Sequence, residues 1–82
     1  ARVCPDFVIE LASETDDVAQ LQAKMEMYLH NGVRLGWLVD PFQRQTHVYR
    51  PGHPPALRSF DEILTGEDVL VGFEVRLGEL EG

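Results

Sequence analysis

Apolar positions change period along the chain, and each change marks an element. Phe7 to Ala12 (FVIELA) is a short apolar run rich in strand formers, broken only by Glu10. Pro5 bounds it on one side and Ser13-Glu14-Thr15-Asp16 on the other, which predicts a buried strand. From Asp17 to Asn31 the apolar residues Val18, Leu21, Met25, Tyr28 and Leu29 recur at helical spacing and predict a helix with one apolar face. Thr15, Asp16 or Asp17 can cap its first turn, and Asn31-Gly32 offers the left-handed residue that ends it. Val33 to Val39 (VRLGWLV) reads as a second strand, Asp40 to Arg44 as a turn, and Gln45 to Arg50 (QTHVYR) as a third strand closed by Pro51-Gly52. Further on, Ala56–Phe60 and Val69–Val75 have the composition of short strands, and Asp61–Leu64 that of a helical turn.

Strand, helix and strand in that order make a β-α-β crossover, followed here by an antiparallel hairpin. The predicted fold class is therefore mixed α/β, a sheet with one helix packed on a face. Alternation along the first strand places Phe7, Ile9 and Leu11 on one face and Val8, Glu10 and Ala12 on the other. One carboxylate thus sits among apolar neighbours.

With 82 residues the chain forms one small domain with little core to spare. The single Cys4 excludes an internal disulfide, and no Cys/His pair has the spacing of a structural zinc site. A reducing cytoplasm is the expected compartment. No apolar run approaches the roughly 18 residues of a membrane span, so no membrane partner is expected. The formal net charge is −7, and residues 60–82 hold seven acids against Arg76. That excludes an overall basic footprint for salt-driven nucleic-acid binding, but not a metal-dependent nuclease site, which is itself acidic. The chain opens at Ala1 and heads straight into a strand pattern, so a segment upstream is expected.

Glu10 is the first candidate for chemistry. An ionised carboxylate in an apolar strand must be paired, hydrogen-bonded or bound to a metal. It is either a structural acid satisfied by a neighbouring donor or a metal ligand. Lys24, the only lysine, lies beside Leu21 and Tyr28 at the edge of the helix's apolar face. It is either a snorkelling lysine or a cation reaching the strand's carboxylate. Asp40 before Pro41 suits a turn, Trp37 and Tyr49 suit packing, and His30 near the helix end complements the dipole there. His30, His47 and His53 have no metal-like spacing, and Ser13 has no identifiable base partner.

The run PDFVIELAS, an acidic loop, LQAKMEMYLHNGV, then LGWLVDP and VYRPG resembles the C-terminal half of the bacterial putative restriction endonuclease family, within the PD-(D/E)xK nuclease superfamily. The resemblance covers residues 5 to about 52 clearly and the acidic remainder loosely. It implies a restriction-endonuclease-like core lacking its N-terminal strands, so that residues 1–82 are the C-terminal part of a larger nuclease-like domain. It also implies a DNA endonuclease dependent on Mg²⁺ or Mn²⁺, with DNA as the partner of the full-length protein. The resemblance places Glu10 at the family's acidic position, the Leu11 carbonyl as the adjacent metal ligand, and Lys24 as the catalytic lysine. The superfamily's lysine usually stands two residues after the Glu, where this sequence has Ala12; in the family resembled it has moved to the following helix. Asp6 matches the Asp of the superfamily motif in text only. At about 3.3 Å per residue it lies ~13 Å along the strand from Glu10, too far to share one ion at ligand distances near 2.1 Å. It is read as a strand-entry or capping residue, with the partner Asp expected upstream.

A second reading takes the same fold as a non-catalytic, degenerate module used for self-association or partner binding. As a lone fragment, the first strand exposes a sheet edge through which homodimerisation or aggregation is expected.

Overall fold

A computed structural model describes residues 5–81; Cys4 lies outside the described residues. Strand β1 (Phe7–Leu11), helix α1 (Val18–His30) and strand β2 (Leu35–Asp40) form the crossover, with β1 and β2 parallel. Strands β3 (Gln45–Tyr49) and β4 (Ala56–Ser59) add antiparallel neighbours, giving the order β1-β2-β3-β4. Strands β5 (Ile63–Gly66) and β6 (Leu70–Arg76) pair as a separate hairpin, and a short 3₁₀ segment (Leu77–Leu80) follows. The architecture is the mixed α/β arrangement the hydrophobic pattern predicts.

Local chemistry explains the boundaries of α1. The Asp17 side chain accepts from the Ala19 amide at 2.9 Å, satisfying one of the free donors of the first turn. At the other end Gly32 adopts φ +106°; its amide donates to the Leu29 carbonyl and the Val33 amide to the Tyr28 carbonyl. This paired closure is the Schellman motif, and it absorbs Val33 into the helix stop. The second strand consequently begins at Leu35, two residues later than the apolar run suggests.

Strand β2 is buried along its whole length because both faces of the sheet are covered. On one side Leu38 packs with Met25 of α1 and Tyr49 of β3, bordered by Val8, Leu21, Tyr28 and Leu29. On the other, Leu35, Trp37 and Val39 pack with Val48, Phe60 and Leu64. The Trp37 indole takes the Phe7 ring edge-on at 5.0 Å and stacks with Phe73 of β6 at 6.0 Å.

The expected helical turn over Asp61–Leu64 is corrected: residues 60–62 form a tight turn and Ile63 opens β5. The Glu62 carboxylate accepts from the Ser59 amide, while the Ser59 hydroxyl accepts from the Asp61 amide. These side-chain bonds close a turn instead of propagating a helix. Strand alternation then buries Leu64 in the core. At the far end of β5 the register shifts between Thr65 and Gly66, where a Cβ on Gly66 would overlap the Leu70 backbone.

Candidate functional site

Strand β1 is the outer strand of the described sheet. In the register with β2, Glu10 stands opposite Leu38, on the face covered by α1. The Ala12 amide donates to the Val39 carbonyl, and the Asp6 carbonyl accepts from Arg34 and Leu35. Since alternate residues of a strand turn their peptide groups to opposite sides, those of Phe7, Ile9 and Leu11 face the open edge. The Leu11 carbonyl is thus available beside the Glu10 side chain.

Helix α1 supplies two groups to Glu10. Lys24 Nζ donates to Oε1 at 3.3 Å, and the Tyr28 hydroxyl, one turn further on, donates to Oε2 at 3.1 Å. Lys24 also lies 5.9 Å from the Tyr28 ring centroid. The side chains of Lys24 and Glu10 are 45% and 23% exposed, so the pair sits at a solvent-facing rim. The Glu10 hydrogen bond and charge, followed by Tyr28, hold the Lys24 ammonium above the usual lysine range. Lys24 is therefore a cation at neutral pH, suited to donating hydrogen bonds and balancing negative charge.

The contact between Glu10 and Lys24 is the one their sequence positions suggest. Tyr28 is the member that sequence reasoning missed, because its ring fits the apolar stripe. Its spacing of four from Lys24 was the available signal: a phenol on the stripe's margin can bury its ring and still extend its hydroxyl. Asp6 sits at the start of β1 with an ion pair to Arg34 at 3.8 Å. Asp40 closes a turn by accepting from the Phe42 and Gln43 amides at 2.9 and 3.1 Å. Trp37 and Tyr49 are core residues, as is Met25, whereas Met27 is exposed.

The oxygen donors here suit a hard divalent cation. Each Glu10 carboxylate oxygen accepts one hydrogen bond and keeps further lone-pair capacity. With the Leu11 carbonyl, Glu10 offers two oxygen ligands of the kind Mg²⁺ and Mn²⁺ prefer. Among the described residues no group of three or more His, Cys, Asp or Glu comes together as a metal cluster. Glu10 and the Leu11 carbonyl have the donor chemistry to supply part of such a shell, and not the whole of it.

Residues 1–78 match the Uma2 family, whose description is putative restriction endonuclease. Among solved structures, a putative nuclease belonging to DUF820 from Anabaena variabilis superposes with a TM-score of 0.85 at 22% sequence identity. The match covers 96% of this chain and 45% of that one, so the chain spans a little under half the length of this structural relative. No curated protein sequence matches.

Proposed function

The chain belongs to the Uma2 family of putative restriction endonucleases, and on that premise we propose that it is the Glu/Lys-bearing part of a metal-dependent DNA endonuclease. Residues 1–82 then form the C-terminal unit of a larger nuclease-like domain. Glu10 and the Leu11 carbonyl would hold Mg²⁺ or Mn²⁺, together with a carboxylate from an upstream segment. The bound ion supplies Lewis-acid stabilisation of the phosphoryl oxygens and a more acidic water. The single observation that supports this reading is the 3.3 Å contact between Lys24 Nζ and Glu10 Oε1, made across fourteen residues of sequence.

This chain's own groups divide the work. Lys24, held charged by its carboxylate neighbour, orients the attacking water through its N–H donors and offsets charge developing on the phosphate. Tyr28 fixes the carboxylate's rotamer by holding the second oxygen. Water attack at phosphorus forms the new P–O bond as the bond to the sugar oxygen breaks; the water's proton passes to solvent and the departing oxygen takes one from solvent, giving a phosphomonoester and a hydroxyl.

The test is cleavage of plasmid DNA by the full-length gene product with Mg²⁺ or Mn²⁺. Glu10→Gln and Lys24→Met should each lower the rate at least about a hundredfold while the fold persists. Unchanged rates in both variants would overturn the assignment. NMR titration of the 82-residue chain with Mn²⁺ should give broadening at Glu10 and Leu11 that Glu10→Gln removes.

A degenerate, partner-binding module is the second reading. Its specific support is that Lys24 and Tyr28 already satisfy both Glu10 oxygens, as a purely structural carboxylate requires. Equal metal response in wild type and Glu10→Gln would favour it.

A further inference from the structure

The sheet face opposite Glu10 carries a second concentration of unmatched polarity. Six of the seven Lys and Arg residues are described, and five of them pair with carboxylates. Among the described residues Arg58 is the base without an ion pair; its guanidinium donates only to the Leu57 carbonyl, at 3.0 Å. In a chain with twice as many acids as bases, an unclaimed arginine needs a reason.

Arg58 stands opposite Thr46 in the β3–β4 register. Thr46 Oγ1 and Arg50 Nε are both buried without a hydrogen-bond partner. By alternation all three side chains lie on the face beneath the β5–β6 hairpin. Arg50 and Arg58 line one cleft there, of about 340 Å³, floored by Trp37, Val48 and Leu64 and flanked by Glu67. That volume lies within the roughly 300–1,000 Å³ typical of small-ligand sites. Glu67 faces Arg50 at 3.8 Å, beyond hydrogen-bond length, and leaves the Arg50 Nε donor unused. An adjoining cleft contains Arg34, His53 and Asp68, with Arg34 facing Asp68 at 4.0 Å, and shares Arg50 and Glu67 with the first.

We infer that the cleft between the sheet and the β5–β6 hairpin is an oxyanion site, in which Arg50 and Arg58 take a phosphate group. Two guanidinium groups present planar donor forks matched to phosphate oxygens. A buried donor without a partner costs stability; an incoming phosphate oxygen satisfies it. The phosphate belongs either to a free small ligand, such as a mononucleotide, or to a nucleic-acid backbone. The site lies on the other face of the sheet from Glu10 and requires no metal, so it stands or falls separately from the nuclease reading.

The test is NMR titration of the 82-residue chain in EDTA, following backbone amides and arginine Nε–H signals. Inorganic phosphate, a 5′-mononucleotide and a short oligodeoxynucleotide are compared with chloride at matched ionic strength. Saturable shifts are expected at Arg50, Arg58, Thr65 and Glu67 with phosphate and not with chloride. Arg58→Gln, an exposed substitution that leaves the core intact, should weaken binding about tenfold, and Arg58→Lys should recover part of it. Tighter binding of the oligonucleotide than of the mononucleotide identifies a backbone phosphate; the reverse order identifies a small ligand. Shifts equal in chloride, or unchanged in Arg58→Gln, would overturn the inference.

Discussion

The Tyr28 hydroxyl donates to Glu10 Oε2 at 3.1 Å, bridging helix α1 to strand β1 across eighteen residues of sequence. This bond anchors the carboxylate from the more enclosed side, while Lys24 holds the other oxygen nearer solvent. Tyr28→Phe keeps the ring's packing against the Met25, Leu38 and Tyr49 cluster and deletes only the donor. It should lower unfolding free energy by about 1 kcal/mol in urea denaturation. A loss below a few tenths would mean that the hydroxyl is equally well served by water.

Two raised pKa values, those of Lys24 and Tyr49, give the chain an alkaline pH sensitivity. Lys24 is raised by the Glu10 hydrogen bond and charge, and Tyr49 by burial and then by the Glu26 charge. A group whose folded pKa exceeds its unfolded value contributes stability that is intact below the unfolded value and lost as pH rises through the folded one. The window therefore opens near the ordinary lysine and tyrosine values of 10.5 and 10.0. Thermal midpoints should fall as pH rises beyond about 10, and Tyr49→Phe should flatten that fall. A Tyr49→Phe profile parallel to wild type would show that the phenol does not drive it.

Glycine at 36 suits the closeness of helix and sheet. A Cβ there would come within 2.7 Å of the Met25 terminal methyl, and Met25 is fully buried. Gly36→Ala should cost about 1–3 kcal/mol through overpacking. Shortening the methionine in the double variant Gly36→Ala/Met25→Val should recover part of that loss, measured as non-additivity of the two substitutions. Strict additivity would place the cost elsewhere.

Much of this arrangement was legible in the residues themselves. The helix from 18 to 30 carries its own start and stop chemistry in Asp17 and Asn31-Gly32, and the oddity of Glu10 in an apolar strand pointed to a partner that Lys24 supplies. Less legible was the acidic C-terminal stretch. Its strand β6 is largely exposed, so burial imposes little alternation on the sequence, and β5 depends on side-chain bonds at Ser59 and Glu62 that no periodicity encodes. The Arg50–Arg58 cleft was also invisible. It joins residues of adjacent strands beneath a hairpin, a proximity set by the β3–β4 pairing and not by any local motif.

The open edge of β1 supplies the last prediction. Ile9 and Leu11 are 52% and 66% exposed on the face away from α1, and their peptide groups have no strand partner among the described residues. Ile9 stands beside Trp37 in register, so its side chain extends the Trp37 and Phe73 apolar surface to the boundary of the sheet. An unpaired strand carrying apolar side chains is a template for addition of another strand. Sedimentation of the 82-residue chain should therefore show concentration-dependent association. Ile9→Lys places a charge on that face without touching Glu10, Lys24 or Tyr28, and should shift the chain to monomer while its NMR spectrum stays dispersed. A wild-type chain that sediments as a monomer at every concentration would show that the backbone groups of this edge are satisfied by water alone.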